Sequence, residues 1–253
     1  HMSKVTDRID NQNIINLARQ QFETQKRSKL PSVIVPLASA GKIYPIHHAL
    51  RCGTVEMRYM TAYDEDILTN STYIKNGVVF DRLLESIIMS DVAVSDIAEA
   101  DRFGLIINAR ILAYGPEYAV TVSDPKTKNM LNRVIDLRKL TFRPFTLQPD
   151  DSGEFEYEIN SDTTIRFKYP NKDIESETVS EYLKNIITQV KDSRDPETIN
   201  EFIRYEFFAA DAKRFRKFVT ENMPGLNLTV EFEGEDGSTF SAGFPIGPEL
   251  FWF

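Results

Sequence analysis

Two short stretches, Val55-Glu56-Met57-Arg58-Tyr59 and Ile165-Arg166-Phe167-Lys168-Tyr169, decide the fold. Each alternates apolar and charged residues, the period of a half-buried strand. Their surroundings extend the match. After the first stretch, Asp64-Glu65-Asp66 reads as a helix start, and Val79, Phe80, Leu83, Leu84, Ile87 and Ile88 recur at helical spacing. After the second, Val179, Tyr182, Leu183, Ile186, Ile187 and Val190 do the same, which predicts one helix running through Val190. A further helix is expected from Ser95 or Asp96 to Tyr114, ended by Gly115-Pro116. Its counterparts in the second half are a helix opened by Asp195-Pro196-Glu197 and a segment over 211–222 ended by Pro224-Gly225. Each half closes with a hairpin. The first turns at Asp124-Pro125-Lys126 and the second at Asp236-Gly237. Phe155, Tyr157 and Ile159 alternate ahead of the turn Asn160-Ser161-Asp162, so the second strand is itself half of a strand pair.

The halves overlay at an offset of roughly 100–110 residues, about the size of a small domain. Tyr114-Gly115-Pro116 falls on Met223-Pro224-Gly225, and Ile135-Asp136-Leu137 on Phe244-Pro245-Ile246. The expected fold is α+β: two similar strand–helix–helix–β-hairpin units, read as an internal duplication, plus an N-terminal helix. The expected division is 1–45 for that helix and an extended connector, 46–145 for the first unit and 146–253 for the second. Each unit is too small to bury much alone, so the two should pack together. The N-terminal helix spans Asp7 to Lys26, with a loose apolar stripe of Ile9, Ile14, Leu17, Ala18 and Phe22. It is either an arm that docks on a partner or a helix packed on its own domain. Residues 30–45, punctuated by Pro31, Pro36, Gly41 and Pro45, read as extended and turn-rich.

Composition narrows the function. The 253 residues are 42% hydrophobic and 27% charged, with a formal net charge of -8. That balance supports a buried core and argues against broad binding to a nucleic-acid backbone. No apolar run approaches the roughly 18–20 residues of a membrane span, and the first residues lack the apolar core of a signal peptide. A soluble, intracellular protein without nucleic-acid or membrane partners is expected. The single cysteine, Cys52, rules out an intramolecular disulfide and a cysteine-only zinc site.

Catalytic equipment is thin. His47 and His48 lie near Cys52, but their spacing fits no zinc signature, and they read as surface histidines beside a modestly buried thiol. Ser39-Ala40-Gly41-Lys42 lacks the earlier glycine of a phosphate loop, Pro36 standing in its place. Among 38 Asp and Glu, no pair sits in an apolar setting that would split two pKa values. With 17 Phe and 10 Tyr, the balance favours packing and interaction over catalysis, so no catalytic residue, metal or cofactor is expected. Leu250-Phe251-Trp252-Phe253 either tucks into its own domain or anchors in a partner's pocket, where aromatics concentrate binding energy. The candidate partner-binding residues are Phe251, Trp252 and Phe253, then Ile14, Leu17 and Phe22.

Several of these features, in order, resemble the baseplate proteins of T4-like contractile-tailed phages, which include a baseplate hub subunit and a hub assembly catalyst. They are Leu37 through Gly41 to Tyr44-Pro45; Val55 to Met60 followed by Thr61 and Asp64 to Leu68; Arg110 to Tyr118 around Tyr114-Gly115-Pro116; and Pro245-Ile246 through Phe251-Trp252-Phe253. The resemblance implies a structural or assembly protein of a baseplate hub, binding other hub proteins without catalysis, with a homo-oligomer allowed. It also implies assembly in the host cytoplasm and a place in the virion tail baseplate. Rival readings are a transient hub-assembly chaperone absent from the virion, an adaptor of a cellular contractile secretion machine, and a hydrolase using a carboxylate pair between the halves. In many relatives the two hairpins carry cysteine pairs like those of a zinc ribbon. Here the turns read Asp124-Pro125-Lys126-Thr127-Lys128 and Glu233-Gly234-Glu235-Asp236-Gly237, without a thiol. The resemblance then implies a degenerate zinc ribbon, and turn chemistry and cross-strand packing should hold the hairpins.

Overall fold

The strand at 54–58 finds its first partner inside the stretch expected to be a connector. In the computed structural model, which describes residues 3–27, 29–171 and 178–252, β1 (Ser32–Pro36) pairs antiparallel with β2 (Thr54–Arg58). Val33-Ile34-Val35 is a β-branched run flanked by prolines: Pro36 turns its nitrogen away from β2, and Pro31 pairs through its carbonyl alone, which accepts from Tyr59 N–H at 2.9 Å. Val35, Val55 and Met57 are buried by the pairing. The turns that follow β1 also enter the core through Leu37, Ile43 and Tyr44.

N-terminal to this pair lies α1 (Ser3–Arg27). C-terminal to it, α2 (Ala62–Leu68) starts with a capping box between Thr61 and Asp64. Next come α3 (Ser71–Lys75) and α4 (Val79–Ile87), which buries Val79, Leu83, Leu84 and Ile87 as its spacing predicts. α5 (Glu99–Tyr114) begins a few residues later than expected, because Val94–Asp96 forms a separate 3-10 turn. It runs through the core with Leu105, Ile106, Ile107 and Ala109 buried. β3 (Glu117–Ser123) and β4 (Met130–Asp136) form the first hairpin, in register from Glu117↔Asp136 to Ser123↔Met130.

The second half opens with β5 (Phe155–Asn160) and β6 (Thr163–Phe167). Here the structure corrects the sequence reading. α6 (Val179–Ile186) stops four residues short of Val190, and β7 (Ile187–Val190) pairs with β6 through Ile165↔Val190 and Phe167↔Ile187. Ile187, Thr188 and Val190 are β-branched, and the open edge of β6 supplies ladder bonds that a longer helix would forgo. The first half holds a smaller version of the same contact. Met57 of β2 bridges Ile88 just past α4, and Met89 N–H donates to the Glu56 carbonyl at 2.8 Å.

α7 (Pro196–Tyr205) is capped by Asp195, whose carboxylate accepts from Thr198 N–H. α8 (Ala209–Glu221) buries Ala212, Phe215 and Val219. β8 (Thr229–Glu233) and β9 (Thr239–Gly243) form the second hairpin. The sheets are thus small and antiparallel within a mixed helix-and-strand fold. One apolar cluster joins the halves, from Val35 and Leu84 through Leu105 to Phe167, Phe215 and Phe251. Among the described residues no helix is long and apolar enough to cross a membrane.

Candidate functional site

Buried charge comes first, because it is where chemistry would reside. Asp101, in the first turn of α5, is 1% exposed. Its Oδ1 accepts from Ser39 N–H at 2.8 Å; its Oδ2 accepts from the Ser39 hydroxyl at 2.8 Å and the Tyr44 hydroxyl at 2.7 Å. Tyr44 Oη in turn accepts from Ala98 N–H at 3.0 Å. Burial pushes the Asp101 carboxyl upward, against the opposing pull of its Tyr44 and Ser39 donors. Burial and the neighbouring Asp101 charge push the Tyr44 phenol up as well. The turn at 39–42 therefore wraps a carboxylate. Gly41 is required there: at φ +79° its Cβ would lie 2.5 Å from the Leu50 and Arg51 carbonyls. Among the described residues no second carboxylate is a hydrogen-bond partner of Asp101, and its acceptor atoms are occupied by Ser39 and Tyr44.

Arg58 and Asp64 form another buried charge site, a two-pronged ion pair with distances of 2.8 and 3.0 Å. Ser86 Oγ donates to Asp64 at 2.7 Å, and Thr61 N–H donates at 2.7 Å. Burial pushes the Asp64 carboxyl up, but Arg58, Thr61 and Ser86 outweigh it and hold the group below the usual carboxylate range. The Arg58–Asp64 site fastens α2 to β2, and the Asp101 site fastens α5 to the turns that follow β1. Local spacing did not reveal the Asp101 site, because Ser39 and Asp101 are 62 residues apart.

His48 caps a 3-10 turn: its Nδ1 accepts from Leu50 N–H at 3.1 Å, and its ring stacks on Tyr44 at 5.1 Å. Cys52 is exposed, with its sulfur against the Ala49 and Thr54 carbonyls. Among the described residues, no group of three or more His, Cys, Asp and Glu is arranged to hold a metal ion.

The two hairpins meet at their turns. Asp124 Oδ1 accepts from Lys126 and Thr127 N–H within its own turn, and its Oδ2 accepts from Glu235 N–H of the other turn at 3.0 Å. Lys126 Nζ reaches Asp236 at 2.7 Å, and Asn129 Nδ2 reaches Glu235 at 3.1 Å. Farther along, the Arg133 guanidinium donates to the Glu233 carbonyl at 2.8 Å. The N–H donors of Glu235 and Lys126 hold the Asp124 carboxyl below its ordinary value. Polar turn contacts between the hairpins thus accompany the cross-strand packing expected within them.

The candidate partner-binding residues fall into different settings. Phe251 is 3% exposed, its ring edge-on to Phe80 and Tyr114. Arg110 fixes this segment by donating to the carbonyls of Leu250, Gly115 and Glu117. Trp252, beside it, is 48% exposed, and Phe253 lies outside the described residues. On α1, Ile14, Leu17 and Phe22 are 65%, 60% and 58% exposed, and every described side chain from 12 to 26 is exposed. The two groups therefore stand on separate elements. Tyr63, Phe208 and Tyr205 are further exposed aromatics that the sequence reading passed over. Phe208 follows buried Phe207 directly in the connection between α7 and α8, and only Phe207 turns inward.

The family described as T4 bacteriophage base plate protein matches residues 35–241. No curated protein and no solved structure matches the chain. All six candidate contact residues lie outside the matched span.

Proposed function

Since the chain belongs to the T4 bacteriophage base plate protein family, we propose that it is a structural or assembly protein of the baseplate hub that works by binding other baseplate proteins without catalysis. The observation that carries this reading is the family match over both α+β halves. Exposed apolar side chains on α1 and at Trp252 support it as contact points. Phe251 enters as the buried support that presents Trp252. The matched span would then supply the common body, and the flanking segments the contacts particular to this chain. Baseplate association during assembly puts the protein in the host cytoplasm, and retention puts it in the virion tail.

The test is hub assembly with the double variant Leu17→Ala/Phe22→Ala and with Trp252→Ala. These positions are exposed, so the chains should fold while assembly or hub binding falls. Unimpaired assembly by both folded variants would remove these residues from the proposal. Mass spectrometry of purified virions separates a retained component from an assembly factor that leaves.

We also read the two units, 46–145 and 146–253, as an internal duplication following the 1–45 segment. The paired contacts Met57↔Ile88 and Phe167↔Ile187 fall at matching positions and support it. Further family sequences provide the check: a duplication predicts members whose two halves resemble each other more closely than these do, and their consistent absence would count against it.

A further inference from the structure

β9 leaves one edge of the second hairpin open. Gly234 N–H donates to the Ser238 carbonyl, which sets the ladder phase. In the register that follows, Phe232↔Phe240 and Val230↔Ala242 exchange the ladder bonds, and the N–H and C=O groups of Thr239, Ser241 and Gly243 point away from β8. All three residues are exposed. Among the described residues, none of these outward groups has a hydrogen-bond partner.

Two other hairpin edges are engaged in part, although on β3 Ala119, Thr121 and Ser123 also turn main-chain groups outward. On β3 the Glu117 carbonyl is taken by Arg110. On β8 the Glu233 carbonyl is taken by Arg133, and Thr229 N–H by the Asn227 side chain. β9 carries no lysine, proline or bulge, the devices that normally blunt an edge.

Charge and size indicate what fits there. Residues 218–252 include Glu221, Glu231, Glu233, Glu235, Asp236 and Glu249, and no Lys or Arg. Glu231 and Glu233 share the exposed hairpin face with their cross-strand partners Ser241 and Thr239. Asp236 is engaged by Lys126 and Glu235 by Asn129, whereas the carboxylates of Glu231 and Glu233 have no partner among the described residues. A strand added to β9 would lie about 10 Å from β8, two strand spacings away. Lys or Arg side chains on it could cross Ser241 to reach Glu231 and Thr239 to reach Glu233. On the opposite face its residues would extend the apolar row of Phe240 and Ala242, both partly buried.

We propose that the free edge of β9 takes up an extended segment of a partner protein in which basic and apolar residues alternate. Main-chain hydrogen bonds would supply affinity, and the two free glutamates the preference for a basic strand. The proposal rests on a binding role for the chain. Its test, a peptide titration, can fail while association with baseplate proteins stands, and the reverse also holds.

A labelled short peptide alternating Lys and Val, blocked at both ends, is titrated with the full chain by fluorescence anisotropy. A Glu–Val peptide is the control. Saturable binding is expected for the basic peptide only, weakening with salt and in Glu231→Gln/Glu233→Gln. Ser241→Pro removes an outward N–H without touching the ladder and should weaken binding about tenfold. Ser241→Lys, which repels a basic strand, gives an independent route if the proline variant does not fold. No binding of the basic peptide, equal binding of the acidic one, or equal binding by folded Ser241 variants would overturn the proposal. So would self-association of the chain through β9, which would make a second copy the occupant.

Discussion

At the strand that opens each half, β2 carries Arg58 into a buried cage with Asp64 and Ser86, whereas the matched position after β6 is the exposed Lys168. One residue earlier the contrast reverses. Met57 lies in an aliphatic setting, while Phe167 meets Phe155, Tyr169, Phe215 and Phe218 with ring centres 5.3–6.2 Å apart. The first half is latched by buried polar groups and the second is filled by aromatic rings. One topology thus tolerates two kinds of core, the buried carboxylates of Asp64 and Asp101 each accepting on both oxygens. Reactive chemistry does not follow from burial alone, because Asp64 and Asp101 are engaged in holding helices and Asp124 in holding the hairpin turns.

The largest expected effect tests the aromatic side. Phe167→Ala should lower unfolding free energy by roughly 4 kcal/mol, since it empties the centre of the ring cluster. Denaturant titration measures it, and a loss under about 1 kcal/mol would mean that the rings pack more loosely than their geometry indicates. Next, Arg58→Met should cost about 3 kcal/mol by leaving Asp64 buried and unpaired, while Arg58→Met/Asp64→Leu should recover most of that loss. Equal losses in the single and double variants would show that the pair itself, and not the orphaned charge, matters.

The same pair sets an acid limit. The folded Asp64 pKa lies below its unfolded value, so its contribution is present above the ordinary carboxylate range and is lost as pH falls through that range toward the folded pKa. Stability measured from neutral pH downward should therefore decline less steeply in the double variant than in the parent. Asp101→Asn should cost on the order of 2 kcal/mol, because one amide cannot accept from both Ser39 donors and Tyr44. The smallest effect belongs to the surface. Lys126→Ala breaks an exposed ion pair with Asp236 and should leave the unfolding midpoint unchanged; a clear drop would make the turn-to-turn contact a structural joint.

The alternating strands, both hairpins and the α4 stripe were legible because their periods are local. β1 was hidden by flanking prolines that read as loop punctuation. β7 was hidden because Ile186, Ile187 and Val190 satisfy helical spacing over so short a run, and only the open edge of β6 decides between the two. The Asp101 cage is assembled from residues distant in sequence and left no pattern. For the aromatic segment at 250–252, composition allowed a core plug or an anchor. Phe251 fills the interior while Trp252 remains half exposed, a division set by tertiary packing alone.

The most direct test of a binding role is recovery of partners. Tagged full chain is isolated from cells producing the phage tail, and co-purifying proteins are identified by mass spectrometry against an untagged control. Other baseplate proteins should be enriched, less so with the folded Leu17→Ala/Phe22→Ala and Trp252→Ala variants. Recovery of no tail protein, or of a set of metabolic enzymes in their place, would contradict it.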